Sequence, residues 1–364
     1  MKAGIVGLPN VGKSTLFNCL SNAKAQSANF PFCTIEPNIG VVNVPDQRLE
    51  KLEALVNPER VIPATVEIVD IAGLVKGASK GEGLGNQFLG NIRETDAILH
   101  VLRCFDNDNI VHVDGSIDPI RDKETIDMEL QLRDLESVEK KLDKVKRAAR
   151  TGNKEAQKEE SVLLQLKTGL ESGTSIRAIE IEKDDRRDFV NPLQLITDKP
   201  VLYVCNVDES SAVDGNAYVE KVKAAVAGEE AEVIVLAVGT EADITELETY
   251  EERQMFLEDL GLKEPGSAKL IRGAYNLLSL ETYFTAGPKE VRAWTIPIGA
   301  TAPQAAGVIH TDFEKGFIRA EVISYDDYLS FGSEAKVKEA GKMRVEGKDY
   351  VVKDGDVMHF RFNV

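Results

Sequence analysis

The 364-residue chain contains no window that approaches the roughly 18 consecutive apolar residues needed to span a membrane. Its first residues also lack the profile of a signal peptide, because Met1-Lys2 leads directly into a short strand-like run at residues 3–6. Both absences argue against a secreted or membrane-spanning protein. We therefore expect a cytoplasmic protein that does not use a membrane as a partner.

Cysteine is scarce, and the four cysteines stand singly, without the CxxC spacing of a zinc site or a redox pair. We expect Cys19, Cys33, Cys104 and Cys205 to be reduced residues of the core. Positive charge is also in deficit, since 44 lysines and arginines against 61 aspartates and glutamates give a formal net charge of −17. The resulting field repels phosphate, which argues against indiscriminate nucleic-acid binding unless a local basic surface overrides it.

The composition is otherwise that of an ordinary globular protein, with 43% hydrophobic and 29% charged residues. Short apolar runs alternate with helical segments, which predicts an α/β fold with a mostly parallel sheet. Apolar residues then recur at spacings of three and four over residues 135–149 and again over 163–170. A turn-forming segment at 151–153 separates the two series, so we expect an inserted antiparallel helical hairpin. Short strands and turns from residue 281 onward predict a small α+β module.

Residues 7–14, with the sequence GLPNVGKS, fit the phosphate-binding pattern GxxxxGK[ST] between a strand and an apolar helix. The glycines let successive N–H groups turn toward the β- and γ-phosphates at a helix N-terminus. Lys13 would neutralise phosphate oxygens, and the Ser14 hydroxyl would ligate Mg²⁺. The predicted nucleotide contacts in this loop are Gly7, Asn10, Val11, Gly12, Lys13, Ser14 and Thr15.

A second phosphate sensor follows a later strand, where the pattern DxxG is present at residues 70–73. Asp70 would hold Mg²⁺ through water, and the Gly73 N–H would sense the γ-phosphate. Thr34 lies where NTPase switch segments place a threonine that closes over Mg²⁺. The alternatives are a strand-end turn for DxxG and a plain loop hydroxyl for Thr34. The glycine-rich residues 76–85 favour a mobile second switch over a dinucleotide-binding fold.

The motif that reads guanine in GTPases of this topology, NKxD, is altered here to Asn206-Val207-Asp208-Glu209. Its lysine has become Val207, and its aspartate has become Glu209, which is one methylene longer, so the fixed bidentate geometry is lost. We expect contacts from Asn206, Val207 and Glu209 to a nucleotide that is ATP at least as readily as GTP. The alternative is that Asp208 or Glu209 shifts and guanine recognition survives.

With these motifs in place, the sequence resembles the YchF or Obg-like ATPase family of P-loop NTPases. The likeness covers essentially the whole chain and is carried by residues 7–14, 29–38, 70–78 and 206–209, together with a C-terminal segment similar to a TGS domain. It implies a ribosome-binding ATPase with a Ras-like domain, the helical hairpin and a β-grasp TGS-like domain. We place the NTPase domain at residues 1–125 and 196–278, the hairpin at 126–195 and the TGS-like domain at 279–364.

The resemblance also bears on catalysis. Leu74 stands where Ras-like enzymes carry a water-positioning glutamine, and leucine can neither orient nor deprotonate water, so another group must assist. The candidate catalytic residues are Lys13, Gly73 and His112, with His112 swinging toward the γ-phosphate; the alternative is an ordinary surface histidine. Asn10 matches the asparagine that holds K⁺ in potassium-stimulated relatives, and its alternative is a loop-capping amide. His100, inside an apolar strand, is expected to be a satisfied core residue.

The expected docking surface is a basic segment. Residues 133–158 contain nine Lys/Arg and five Asp/Glu, a net +4 within a chain of −17. A basic run projecting from an acidic body suits ribosomal RNA, and the alternative is a solvated helical face. We thus expect a monomeric, Mg²⁺-dependent ATP-driven switch that acts on the translation machinery. The alternatives are a ribosome-associated GTPase, or a nucleotide-gated stress-regulatory protein whose hydrolysis is incidental.

Restoring the guanine reader should change the preferred nucleotide. We expect calorimetry to show that the wild type binds ATP at least as tightly as GTP, and that Val207→Lys combined with Glu209→Asp shifts the preference toward GTP. The reason is that the lysine and the shorter carboxylate rebuild the lost bidentate geometry. A wild type that prefers GTP about tenfold, or about 1.4 kcal/mol, would contradict the base-recognition hypothesis.

Overall fold

The computed structural model describes residues 1–22, 39–71 and 84–363. In chain order the strands are β1 (Lys2–Val6), β2 (Ile39–Asn43), β3 (Val61–Ile62), β4 (Thr65–Asp70), β5 (Ala97–Arg103), β6 (Val201–Asn206), β7 (Val233–Leu236), β8 (Leu280–Ala286), β9 (Val291–Pro297), β10 (Phe317–Ser324), β11 (Arg344–Glu346) and β12 (Asp356–Phe362). The helices are α1 (Lys13–Asn22), α2 (Gln47–Val56), α3 (Leu84–Arg93), α4 (Pro119–Arg150), α5 (Lys154–Glu171), α6 (Lys183–Asp185), α7 (Ala217–Ala225), α8 (Val238–Glu246), α9 (Tyr250–Asp259), α10 (Gly266–Leu277), α11 (Ala302–Ile309), α12 (Thr311–Lys315), α13 (Tyr325–Phe331) and α14 (Glu334–Glu339).

The chain forms two compact units, one from residues 1–40 and 67–270 and the other from residues 41–66 and 271–364. These are not the domains proposed from the sequence. Residues 41–66, which the sequence analysis placed in the NTPase domain, group with the C-terminal part of the chain. The inserted hairpin is not a separate unit. The division falls within β2 and β4.

The first sheet has six strands in the order β2-β4-β1-β5-β6-β7. β1 pairs in parallel with β4 and β5, and β6 pairs in parallel with β5 and β7. Every residue of β5 and β6 is buried, as expected for central strands covered on both faces. Because the carboxyl ends of parallel strands share one edge of a sheet, the residues that follow β1, β4 and β6 lie at that edge. This confirms the predicted α/β fold.

The predicted helical hairpin is present as α4 and α5, although α4 begins at Pro119, seven residues before the predicted boundary at 126. The carboxylate of Asp118 caps α4 by accepting from the N–H groups of Ile120 and Arg121, with proline at the first helical position. The Asn153 side chain caps α5. Within the described part of the chain, no helix is long and apolar enough to cross a membrane. The apolar seam predicted from the 3,4 spacing is buried: Val138, Leu142, Val145, Ala149, Leu163, Leu166 and Leu170.

A buried carboxylate, Asp134, ties α4 to the segment that returns to the sheet. It accepts hydrogen bonds from the N–H of Ile196 at 2.8 Å and from the N–H and the hydroxyl of Thr197, both at 2.7 Å. The same Thr197 hydroxyl accepts from the N–H of Ile176 at 3.2 Å. Three helical segments are thus joined through two buried side chains, those of Asp134 and Thr197.

The second sheet has the order β11-β10-β12-β8-β9-β3. The short β3 pairs in parallel with β9, which is why residues 41–66 complete this unit. Three alanines of α11 are buried in the core of this unit, where small side chains allow a close approach of the helix. The predicted small α+β module is therefore present, but it also uses a segment from far earlier in the chain. Its core includes Tyr283, Ile296, Ala302, Ala305, Ala306, Phe317, Val322 and Phe360.

Replacing the buried carboxylate should destabilise the protein. We expect Asp134→Ala to lower the free energy of unfolding by about 2–4 kcal/mol, because two backbone N–H groups and a hydroxyl lose their acceptor in a buried environment. Asp143→Ala is a matched control on the same helix, since the Asp143 side chain is 78% exposed. The urea midpoint of each variant measures the difference. Equal midpoints for the two variants would contradict a stabilising role of Asp134.

Candidate functional site

The phosphate-binding loop connects β1 to α1, and its backbone requires glycine at two positions. Gly12 has a φ of 100°, and a Cβ there would lie 2.6 Å from the Asn206 amide nitrogen. A Cβ on Gly7 would lie 2.5 Å from the carbonyl oxygen of Val101. Helix α1 begins directly after Gly12, whose carbonyl accepts from the N–H of Leu16. The loop therefore approaches its neighbours too closely for any side chain at these two positions.

Lys13 is buried at the start of α1, with 6% of its surface exposed. Its ammonium donates to the carbonyl oxygen of Leu8, 2.6 Å away, inside the phosphate-binding loop. Burial lowers the pKa of Lys13 to about 8, and the negative charge of Asp70 opposes this shift only partly. An anion bound in the loop would stabilise the positive charge of Lys13, which burial disfavours.

The residues proposed for Mg²⁺ are only partly within the described chain. Asp70 ends β4, and its Oδ1 is buried without a hydrogen-bond partner among the described residues. A buried carboxylate oxygen without a partner fits a hydrated magnesium ion, because a water molecule bound to the ion would donate a hydrogen bond to it. Ser14, in the first turn of α1, is exposed. Thr34, Gly73, Leu74 and Cys33 lie outside the described residues.

Asn206 lies against the phosphate-binding loop. Its amide nitrogen donates to the carbonyl oxygen of Val11 at 2.9 Å, and its side-chain oxygen accepts from the N–H of Val238 at 3.0 Å. The Asn206 carbonyl also accepts from the N–H of Cys104 at 2.8 Å. One buried side chain thus joins the end of β6, the phosphate-binding loop and the start of α8. The prediction of Asn206 as a nucleotide contact did not anticipate this role in holding the loop.

The residues after Asn206 are arranged differently from a guanine reader. Val207 is buried, with 3% of its surface exposed, whereas Glu209 is exposed in a short 3-10 turn. The carboxylate of Asp208 accepts from the Ser210 hydroxyl at 2.6 Å and from the Ser211 N–H at 3.0 Å. The hydrogen bond from Ser210 lowers the pKa of Asp208. Asp208 is therefore engaged as a turn cap, which disfavours the alternative that it shifts to read guanine.

Asn10 takes a left-handed backbone conformation, with φ of 63°, and its amide nitrogen donates to the carbonyl oxygen of Val111 at 3.1 Å. Val111 belongs to the segment between β5 and α4, residues 104–118, which we call the β5–α4 loop. The sequence analysis missed the residue that shapes this loop. Arg103, with 1% of its surface exposed, donates to three loop carbonyls, those of Phe105 at 3.2 Å, Asn107 at 3.0 Å and Ile110 at 2.9 Å. The only signal was a lone arginine ending an apolar strand.

His112 also belongs to the β5–α4 loop, and the expectation of a surface histidine is wrong, because 7% of its surface is exposed. Its Nε2 lies 2.8 Å from the buried carboxylate of Asp122, and its Nδ1 accepts from the Asp114 N–H at 3.1 Å. The guanidinium of Arg121 lies 3.2 Å from Asp122 and 3.6 Å from Asp114. Arg121 thereby supplies the positive charge that a metal ion would bring to these carboxylates.

The other expectations for single residues can be placed directly. His100 is a core residue as predicted, but it is not satisfied, since its Nε2 has no hydrogen-bond partner among the described residues. Burial lowers the pKa of His100 to about 4, so the ring is neutral. Cys19, Cys104 and Cys205 are buried and free, as predicted.

Comparisons with known proteins agree over the whole chain. A family model described as 50S ribosome-binding GTPase matches residues 2–134, and the C-terminal YchF GTPase model, described as a protein of unknown function, matches residues 280–363. The curated "Ribosome-binding ATPase YchF" of Haemophilus ducreyi is 58% identical over 100% of this chain and 99% of its own length. That of Bacillus subtilis is 56% identical over 100% of both. A solved structure, the Schizosaccharomyces pombe YchF GTPase, is 39% identical with a TM-score of 0.90, covering 99% of this chain and 97% of that one.

Nucleotide affinity should fall as the pH rises through about 8, because burial lowers the pKa of Lys13 to about 8 and only the protonated amine attracts phosphate. Below that pH the charge is present before binding, and above it binding must take up a proton. Calorimetry in buffers of different ionisation enthalpy measures this uptake.

Lys13→Ala is the control for this effect. It should bind nucleotide far more weakly and lose the linked proton uptake, while its circular dichroism spectrum stays that of the wild type, because the Lys13 ammonium donates to a carbonyl of the loop, that of Leu8. Equal wild-type affinity at about pH 7 and about pH 9 would show that Lys13 does not meet the phosphates.

Proposed function

This chain belongs to the YchF family, and we propose that it is a Mg²⁺-dependent ATPase that binds the ribosome and acts in translation or its regulation, as a cytoplasmic monomer. The observation that carries the proposal is the full-length match, at 56–58% identity, to relatives named ribosome-binding ATPases. The buried lysine and the unpartnered Asp70 oxygen beside the phosphate-binding loop support nucleotide hydrolysis at this site.

We propose ATP as the nucleotide, although the S. pombe relative is titled a GTPase. Guanine recognition in this fold depends on a carboxylate held in a fixed bidentate geometry. Here the carboxylate of Asp208 caps its own turn and that of Glu209 is exposed. Val207 is buried and carries no polar group. Adenine does not need the missing acceptor pair, so the site favours ATP.

Each proposed group has a distinct task in hydrolysis. Lys13 would bind β/γ oxygens, and the Gly73 N–H would bind the γ-phosphate. Ser14, Thr34 and Asp70, the last through water, would hold Mg²⁺, which neutralises charge that develops on the phosphates when it is bound. Leu74 cannot orient water, so turnover without a partner should be slow. We propose that His112 assists hydrolysis and that Asn10 holds K⁺ through its side-chain oxygen, while its amide nitrogen donates to Val111.

The hairpin is the proposed ribosome-docking surface, and ion pairing shows which part of it carries free positive charge. Cations along its length are paired, for example Lys141 with Glu159 at 2.8 Å and Arg133 with Glu136 at 2.9 Å. Toward the tip, four exposed cations make no ion pair within the described chain: Lys144, Arg147, Arg150 and Lys154. Unpaired, exposed cations suit the phosphates of ribosomal RNA.

Removing the tip charges should weaken ribosome binding without changing ATP affinity. We expect the fourfold change of Lys144, Arg147, Arg150 and Lys154 to Gln to lower the affinity about tenfold or more, because each lost phosphate contact removes about 0.9 from the slope of log K against log salt on a duplex. Co-sedimentation with ribosomes across a salt series measures both quantities, in the nucleotide-free, ATP-analogue and ADP forms.

The control removes the same charge from paired positions on the same hairpin, through Arg133, Lys141, Lys158 and Lys167 to Gln. This variant should retain most of its affinity. If the two variants lose affinity equally, or neither does, RNA docking by the tip is wrong. If the wild type sediments with ribosomes in no nucleotide state, the ribosome-binding proposal itself fails.

A further inference from the structure

The β5–α4 loop has a fixed conformation, although it carries exposed apolar side chains. Val111 and Val113 are 74% and 52% exposed. Arg103 fixes the first half of the loop through its three carbonyl contacts, and His112 fixes the second half through its ring. Because buried polar side chains hold both halves of the loop, the loop has one defined conformation. Breaking the hydrogen bonds of those side chains would let the loop change conformation.

The hydrogen bonds of His112 define its tautomer. A backbone N–H can only donate, so the Nδ1 that accepts from Asp114 carries no proton. The ring proton of the neutral imidazole therefore resides on Nε2 and is donated to the carboxylate of Asp122. While these two bonds persist, neither nitrogen of His112 is free to meet a water molecule or a phosphate group.

The same loop touches the phosphate-binding loop one residue before His112. The amide nitrogen of Asn10 donates to the carbonyl oxygen of Val111. Asn10 is the fourth residue of the phosphate-binding pattern, so it would lie near the phosphates of a bound nucleotide. A phosphate oxygen that accepts from the Asn10 amide nitrogen, or a ligand that reorients this side chain, would compete with this contact. Occupancy of the phosphate site is thus linked to the position of His112 through Asn10 and through Val111, the residue next to His112.

We propose that Asp122 is a positioning residue that holds His112 in a stored orientation, and that the hydrogen bond between Asn10 and Val111 couples release of the loop to occupancy of the phosphate site. This inference rests on the proposed ATPase function. It gives slow basal turnover a second cause besides Leu74: the histidine is withheld until the loop is released.

Asp122→Asn tests the stored orientation, because an amide keeps the size of the carboxylate and removes the charge that strengthens its bond to Nε2. We expect basal kcat to rise about three- to tenfold, the population change that follows weakening of one charge-assisted hydrogen bond, with KM unchanged. The increase should vanish when Asp122→Asn is combined with His112→Ala. A purely structural role would lower the melting temperature without raising kcat.

Asp114→Asn is the matched control. It removes a carboxylate that also faces Arg121, but Asp114 contacts His112 only through its main chain. Its basal rate should therefore match the wild type. An equal increase in both variants, or an increase in Asp122→Asn that survives His112→Ala, would overturn the proposal.

A measurement on the wild type needs no variant to fold. Nitrogen NMR of the imidazoles should show a His112 signal protonated on Nε2 and unprotonated on Nδ1, and a non-hydrolysable ATP analogue with Mg²⁺ and K⁺ should shift it. Asn10→Ala should decouple that shift from binding. An analogue that binds and leaves the signal unmoved overturns the coupling. If the protein binds no ATP analogue, the proposed ATPase function is wrong instead. The stored orientation is then still tested by comparing the His112 Nε2 signal of Asp122→Asn with that of the wild type.

Discussion

The nucleotide site depends on the buried side chain of Asn206, which connects three elements of the structure. Its amide nitrogen holds the phosphate-binding loop at Val11, its side-chain oxygen holds the start of α8 at Val238, and its own strand, β6, pairs with β5 and β7. The absence of a side chain at Gly12 is required by the same contact, because the Asn206 amide fills that space. The loop is therefore shaped by the sheet before any nucleotide arrives, which is the preorganisation that binding of phosphates requires.

The sequence predicted the features that depend on local pattern. The GxxxxGK[ST] spacing located the phosphate-binding loop, and the 3,4 spacing of apolar residues located the hairpin whose seam contains Val138 and Leu142. The departure from NKxD at residues 206–209 was also visible, because it depends on residue types within four positions, and the loss of guanine recognition stays a prediction. Each of these patterns is written within a short window, where side chains that will touch are near in the chain.

The features that sequence reasoning missed depend on contacts between distant residues. Nothing local reveals that Arg103 turns inward to hold three carbonyls, or that Asp122 makes a buried hydrogen bond to His112, ten residues away. The grouping of residues 41–66 with the C-terminal unit depends on β3 pairing with β9, across more than 200 residues. Residues 106–111 are exposed, yet the two polar side chains that hold them, Arg103 and His112, are buried. Polar networks of this kind follow from the fold and cannot be read before it.

The pairing of β3 with β9 has a consequence for how the protein is made. The second unit draws on residues 41–66, which leave the ribosome early, and on residues 271–364, which are synthesised last. Within the early segment, β3 must therefore wait without its partner β9 while the intervening chain is translated, since long-range strand pairing forms only when both strands exist. Domains usually fold as units in order of synthesis, and this unit is an exception built into the topology. A protein proposed to bind ribosomes thus completes its own second sheet only after a ribosome has finished nearly the whole chain.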